Sequence, residues 1–304
     1  MMNNVDSNQI TFNNISVVIG NNSYMPACNS IVSNSSSSNV FGGFITTLTN
    51  TNVLLNTLIY DYYQTYSTKY SEQSAFMFGN VDKTNDIQIS NLCQFVLVNV
   101  AKNYLGCFGL VGIILGNISL KQSKLQIILN NGTLEQVGLI GYQQSRAAFS
   151  DLHIQLCFNA NSDSYGKIGI FGNVCKSIST FKNVLLNNSI ISAQYSTGGF
   201  FGQFLSSDIQ IQDVCVCFSN ISASKSSAAA LVGSSSGVSA ISAIQLELKS
   251  IRINSNTWGG YIVGANQGQT TFKVQGKTTG ANFVNGVSQT NCAAFTQNWP
   301  QQCV

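Results

Sequence analysis

The chain has 304 residues, of which 44% are hydrophobic and only 8% are charged, with a formal net charge of +3. The hydrophobic fraction is large enough to bury a core, which excludes a chain disordered throughout, and the scattered basic residues form no electrostatic footprint for nucleic acid. The longest apolar run, CFGLVGIILG, is about half the ~20 residues that a membrane-spanning helix needs, so we expect no membrane-spanning segment.

The chain begins with a polar stretch, residues 1–38, ahead of the first repeat. Its first residues, MMNNVDSNQI, contain neither the basic region nor the apolar region of a signal peptide. We therefore expect either a protein that stays inside the cell or a piece of a longer chain. We predict that residues 1–38 form a polar lead-in, either as an irregular first coil or as a cap.

A short apolar phrase closed by glycine, or by threonine in its first copy, occurs eight times after this stretch. The closing residues are Thr46, Gly79, Gly112, Gly141, Gly172, Gly202, Gly233 and Gly264. Their spacing stays between 29 and 33 residues, and a fixed period of this length is typical of solenoids, propellers and repeat arrays. The pattern therefore favours one elongated repeat domain over residues 39–275.

Each repeat also contains a run in which apolar and polar residues alternate. In DLHIQLCF, for example, Leu152, Ile154 and Leu156 alternate with His153 and Gln155. Alternation with a period of two is the pattern of a half-buried strand, and the runs are separated by turn sequences such as NNG and SSSG. The chain is thus predicted to be all-β, with His153 on an outward face.

Two all-β architectures fit a repeat of this kind. A propeller blade needs four strands in about 40–50 residues, whereas a coil of a parallel β-helix needs about three short strands and fits the observed period of about 31 residues. We favour a single-stranded parallel β-helix, a solenoid, of about eight coils. Coils stack about 4.8 Å apart, and glycine is expected where a corner obstructs a Cβ atom or takes a positive φ.

The repeated phrase resembles the GLUG motif, which is named for a core of glycine, leucine, a hydrophobic residue and glycine. Residues 109–112 read GLVG, and related copies stand at residues 138–141, 169–172 and 199–202. The resemblance covers about residues 40–275, and the first and last copies depart from it. It implies an adhesin-like scaffold at the cell surface or outside the cell, with a parallel β-helix fold and no catalytic residues to carry over.

A cluster of tyrosines follows the first copy of the phrase, in YDYYQTYSTKY. We predict that four tyrosines of this cluster form a contact surface: Tyr60, Tyr62, Tyr63 and Tyr66. Exposed tyrosines can stack on sugars or form an adaptable binding surface, so a protein or a glycan is the predicted class of ligand. The alternative is that they are ordinary strand residues that pack over a turn.

Parallel β-helices also host polysaccharide lyases and hydrolases, so a carbohydrate-active enzyme is the alternative function. Asp151 and Asp213 occupy nearly equivalent positions two coils, or about 10 Å, apart, with Asn183 between them. A glycosidase needs two carboxylates facing one groove, so the two aspartates could be catalytic. The alternative is that both are solvated residues of turns.

His153 has no adjacent nucleophile, so it does not indicate a triad. We predict no catalytic residue, cofactor or metal site, and hence a non-catalytic structural or interaction protein.

The nine cysteines are an odd number and show no metal-ligand spacing. Cys215 and Cys217 are the closest pair, and most cysteines are interpreted as small hydrophobic residues inside strands. Cys292 and Cys303 are the one pair considered for a disulfide. They lie in residues 276–304, where the repeat fades, which we predict to be a cap or tail. An uncovered last coil would favour end-to-end self-association.

Overall fold

The computed structural model describes residues 2–6, 9–19, 40–42, 45–49, 52–66, 70–83, 86–100, 104–130, 133–159, 166–285 and 287–288. These residues form strands joined by short turns, and no helix occurs among them. The strands are β1 (Met2–Asp6), β2 (Gln9–Ile19), β3 (Val40–Gly42), β4 (Ile45–Thr49), β5 (Asn52–Tyr66), β6 (Tyr70–Val81), β7 (Asp86–Val100), β8 (Tyr104–Ile114), β9 (Asn117–Asn130), β10 (Thr133–Val137), β11 (Ile140–Gln143), β12 (Ala147–Asn159), β13 (Lys167–Ile168), β14 (Phe171–Cys175), β15 (Ile178–Asn187), β16 (Ile190–Ala193), β17 (Thr197–Gly198), β18 (Phe201–Leu205), β19 (Asp208–Cys217), β20 (Asn220–Ala223), β21 (Ser227–Ala229), β22 (Val232–Ser236), β23 (Val238–Lys249), β24 (Arg252–Ser255), β25 (Trp258–Gly260), β26 (Val263–Asn266), β27 (Gln269–Thr279), β28 (Phe283–Val284) and β29 (Val287–Ser288).

The strands stack into two sheets, and the core lies between them. The first, which we call the long-strand sheet, is built on β2, β5, β7, β9, β12, β15, β19, β23 and β27, together with the short strands β16, β20, β24, β28 and β29. The second sheet holds the remaining strands, which carry the repeated glycine phrase. We call residues that are paired at the same position in successive coils a column.

The prediction of an all-β parallel β-helix is confirmed. Each long strand pairs in parallel with the long strand of the next coil, through a column that contains Ile87, Ile118, Ala147, Ser179, Ile209, Ile241 and Phe272. This regular part makes about six turns of roughly 31 residues, so the predicted coil length is confirmed but the predicted number of about eight coils is too high for it. Strands β2 and β5 precede it and pair in the same way at wider intervals.

The two ends differ from the regular coils. Strands β1 and β2, which lie within the predicted lead-in, pair in parallel with β4 and β5. At the other end, the predicted domain boundary at residue 275 lies inside β27, because this strand stays paired with β23 as far as Thr279. Strand β29 then runs antiparallel to β28, which interrupts the parallel stacking. Residues 289–304 of the predicted cap, which include Cys292 and Cys303, lie outside the described residues.

The repeated glycine phrase is explained by backbone packing. A Cβ atom placed on Gly233 would lie 2.6 Å from the backbone nitrogen of Thr197, and one on Gly172 would lie 2.5 Å from that of Val137. In both cases the obstructing atoms belong to the backbone of the preceding coil. Unlike the end of a side chain, these atoms cannot move aside by rotation about a single bond. The phrase therefore recurs because the backbones of neighbouring coils approach closely at this corner. Of the two predicted reasons for glycine, an obstructed Cβ atom is the one that applies here.

A left-handed residue bends each long strand from β2 to β23 near its middle, whereas β27 has no such residue. The residues of this bend form one column with φ between 49° and 59°: Asn14, Thr57, Asn91, Gln122, Asp151, Asn183, Asp213 and Gln245. The bend places two successive residues outward, as Lys182 and Asn183 show in β15, and the alternation then resumes with its phase shifted. Both halves of the strand therefore keep their apolar residues in the core.

Buried serines form a hydrogen-bonded ladder at the corner before the long strand. The Ser207 hydroxyl donates to the Leu205 carbonyl at 2.8 Å and accepts the Ser177 backbone N–H at 3.1 Å. The Ser207 N–H donates in turn to the hydroxyl of Ser239 in the next coil, at 3.4 Å. The hydroxyls of Ser207 and Ser239 thus satisfy backbone groups at a buried corner, where an unpaired donor is costly.

We expect Ser207→Ala to lower the free energy of unfolding by about 2 kcal/mol, because it leaves the buried Ser177 N–H without its acceptor. Urea denaturation followed by circular dichroism measures this loss. Ser222→Ala is the matched control, since Ser222 is half-exposed on β20. Equal losses for the two variants would contradict the role of the ladder.

Candidate interaction surface

The outward side of the long-strand sheet is a regular surface on which exposed and half-exposed side chains recur from coil to coil. In each half of β15, on either side of the bend, buried residues such as Phe181 and Val184 alternate with exposed or half-exposed ones. The same pattern recurs in β19 and β23. We call the outward side chains of β7, β9, β12, β15, β19, β23 and β27 the outer face. Equivalent outward residues stack in columns, so a ligand on this face would meet a ridged surface that repeats along the solenoid.

The two candidate acids of an enzyme lie in the left-handed bend. Asp151 and Asp213 have φ values of 56° and 54°, and Asn183 stands between them in the same column with a φ of 52°. Asn183 Nδ2 donates to Asp151 Oδ1 at 2.8 Å. Aspartate and asparagine are among the residues most tolerant of this backbone conformation, so the bend accounts for the spacing of the two acids without catalysis.

His153 is exposed on the outer face, as the alternation predicted. Its partners in the column are Lys124 in the preceding coil and Leu185 in the following one. Among the residues that the structure describes, no group of three or more histidine, cysteine, aspartate or glutamate side chains could hold a metal ion.

Burial raises the pKa of Tyr261 to about 12, so this phenol stays protonated at neutral pH.

The four candidate tyrosines lie in β5, and the structure describes only how their backbones pair with the neighbouring strands. Tyr60 and Tyr62 pair with Gln94 and Val96, which are both buried. Tyr63 pairs with Leu97 and therefore belongs to a column that contains Ile128, a half-exposed residue, in the next coil. Tyr66 pairs with Val100 at the end of β7. Surface contact through these four tyrosines stays a prediction.

The most distinctive feature of the long-strand sheet lies where its last coils turn into the short strands. Lys249 Nζ lies 5.3 Å from the centroid of the Phe218 ring, and Arg252 Cζ lies 5.3 Å from that of Phe283. Ile190, which is 51% exposed, stands two coils before Arg252 in the same column. We call these five residues the cation–aromatic patch. Phe218 is itself 52% exposed, so an aromatic ring and two cations are presented to solvent together.

Sequence reasoning missed this patch because its members are scattered between residues 190 and 283. The only local signal is the phenylalanine that ends the run DVCVCF, directly before a turn. The neighbouring acid is occupied: Glu247 Oε2 lies 3.7 Å from Lys277 Nζ, and Glu247 Oε1 accepts the Thr279 hydroxyl at 2.7 Å. Among the residues that the structure describes, Lys249 and Arg252 contact aromatic rings and form no ion pair.

The described cysteines all lie in strands, as predicted, but their burial varies. Cys93 is exposed, Cys157 is half-buried, and only Cys175 is both free and buried. Cys215 and Cys217 are joined by a disulfide. The left-handed bend at Asp213 shifts the phase of β19, so that Val214 and Val216 face the core and Cys215 is half-exposed, while Cys217 at the end of the strand is buried.

The fold and the outer face together define the chain as a parallel β-solenoid with a ridged outward sheet. The described residues include no helix of the length and apolarity needed to cross a membrane. No protein-family model, no curated protein and no solved structure matches the chain. The resemblance to GLUG repeats accordingly rests on the repeated phrase alone.

Proposed function

We propose that this protein is a non-catalytic interaction scaffold, with an adhesin-like role at the cell surface or outside the cell. The rigid solenoid holds the outer face, and the cation–aromatic patch anchors a protein or glycan ligand. The patch carries this proposal, because exposed aromatic rings and arginine are the side chains that most often dominate binding energy at interfaces. The resemblance to GLUG repeats supports the location.

The geometry of the patch suits ligands with both a flat apolar face and an acidic group. The Phe218 ring is exposed at a left-handed corner residue with a φ of 49°, which holds it away from the core. Lys249 and Arg252 lie on either side of the next corner and are both exposed. A sugar ring can stack on the phenyl group while a carboxylate or sulfate binds the cations.

We expect the double variant Phe218→Ala and Arg252→Ala to weaken ligand binding tenfold or more, which is about 1.4 kcal/mol or more. The binding is measured by titrating hits from an array of neutral, uronic-acid and sulfated oligosaccharides, and from a panel of immobilised extracellular matrix proteins. Ile244→Ala combined with Lys182→Ala is the matched control, because both residues are exposed on the outer face outside the patch.

A screen for polysaccharide depolymerisation decides between this proposal and the enzyme alternative. We expect no turnover by the parent protein. Turnover that disappears in Asp151→Asn or Asp213→Asn would overturn the proposal in favour of a carbohydrate-active enzyme. Asparagine already occupies the same bend at Asn183, so these variants should fold normally and a loss of activity would be chemical in origin.

A further inference from the structure

The outer face carries a disulfide between two residues of one strand. Cys215 and Cys217 are separated by Val216 alone, and their Cα atoms are 5.8 Å apart, which is within the usual range for a disulfide. Strand β19 is paired along its length with β15 on one side and with β23 on the other. We propose that Cys215–Cys217 is a reversible redox site that exchanges with small-molecule thiols.

The bond is poorly placed to act as a structural crosslink. A disulfide stabilises a fold mainly by removing conformational freedom from the unfolded chain, and this effect shrinks with the length of the loop that it closes. Here the loop contains one residue, and hydrogen bonds to β15 and β23 already hold the backbone on both sides. Reduction should therefore leave the solenoid intact.

The surroundings of the two sulfur atoms differ in a way that sets the direction of attack. Cys215 is half-buried, whereas Cys217 is only 5% exposed, so an incoming thiolate reaches Cys215 more readily. Cys217 pairs in register with Lys249, whose ammonium lies over the ring of Phe218, the residue next to Cys217. A nearby ammonium stabilises a thiolate. Cys215 pairs with Glu247, but Lys277 compensates the charge of that carboxylate.

The exchange is a two-electron reduction by two thiols. The first external thiolate attacks Cys215 Sγ, the protein S–S bond breaks, and its electron pair leaves on Sγ of Cys217, the register partner of Lys249. A mixed disulfide now joins Cys215 to the external thiol. A second external thiolate attacks the external sulfur of this mixed disulfide, which releases the Cys215 thiolate and one external disulfide. Each protein thiolate then takes a proton from water, and the oxidised external disulfide reverses the steps.

The test uses glutathione as the probe on the folded protein, after its free thiols have been alkylated. Glutathione at millimolar concentration should reduce Cys215–Cys217, and mass spectrometry of the fragment that contains residues 215–217 follows the reaction. The melting temperature should fall by no more than about 5 °C on reduction. The single variants are treated with glutathione disulfide without prior alkylation, so that the protein thiolate attacks one glutathione sulfur and the other glutathione leaves as a thiolate. The adduct on Cys215 in Cys217→Ser should form at least about ten times faster than the adduct on Cys217 in Cys215→Ser.

Lys249→Gln should slow reduction by about threefold or more, because the departing thiolate loses its counter-charge. Lys182→Gln is the control, since Lys182 is exposed on the same face but is not a register partner of either cysteine. The proposal is overturned if the two cysteines are free thiols in protein purified without reductant, or if glutathione reduces them only in denaturant. It is equally overturned if Lys249→Gln reacts at the parental rate.

Discussion

Replacing Phe181 with alanine is expected to lower the free energy of unfolding by about 4 kcal/mol. The Phe181 ring is buried and stacks on Phe149 with centroids 5.3 Å apart and planes 11° from parallel. It also makes edge contacts with Phe171, Phe200 and Phe201, at centroid distances of 5.8, 5.0 and 5.6 Å. The variant loses all four contacts and leaves a cavity between the two sheets, which neighbouring coils cannot close because their backbones are held in register.

Urea denaturation measures the total loss, and hydrogen exchange locates it. Because each coil contacts only its neighbours, the amides of β12, β15 and β19 should lose more protection than those of β2. Phe181→Leu retains most of the apolar volume and should cost less than about 1.5 kcal/mol. An alanine variant that unfolds at the parental urea concentration would contradict this account of the core.

The second large effect is expected at the glycine phrase. Gly233→Ala should lower the free energy of unfolding by about 3 kcal/mol, because the new methyl group would lie 2.6 Å from the Thr197 nitrogen and 2.7 Å from the Gly202 carbonyl oxygen. All of its closest neighbours are backbone atoms of the preceding coil. The two coils must therefore separate at this corner, which also disturbs the pairing between β18 and β22.

Gly259→Ala is the matched control for this variant. The nearest atoms to a Cβ on Gly259 are Ser255 Oγ and Val284 Cγ1, both at 3.0 Å, and these belong to side chains that can rotate. We expect this variant to lose less than about 1 kcal/mol, as measured by the same urea titration. If both alanine variants had the same stability, backbone crowding would not explain the repeated phrase.

Much of the fold could be predicted because its signals are local and periodic. The spacing of the phrase, with Gly141, Gly172 and Gly202 among its closing residues, predicted a solenoid with a coil of about 31 residues. Alternation predicted strands and the outward position of His153. Neither signal revealed the bend inside the long strands from β2 to β23, because Thr57 and Gln122 adopt its left-handed conformation without being residues that favour it. Stacking on neighbouring coils imposes the bend there.

The candidate sites were predicted less well, for a related physical reason. The pairing of Lys249 with Phe218 and of Arg252 with Phe283 depends on which residues face each other across coils. A slip of one residue in register turns every side chain to the opposite face, and no short stretch of sequence encodes that register. The disulfide between Cys215 and Cys217 depends likewise on the shifted phase of β19 after its bend.

The amino-acid sequence by itself therefore determined the class of fold, the length of the coil and the apolar identity of the core columns. These follow from hydrophobic burial and backbone sterics, which act on neighbouring residues and leave a periodic trace. Only the tertiary structure decided which outward residues contact each other, including the cations that lie over aromatic rings. It also showed that Asp151 and Asp213 are the left-handed residues of a strand bend. Those properties arise from contacts between residues about one coil apart, and such contacts exist only after the coils have stacked.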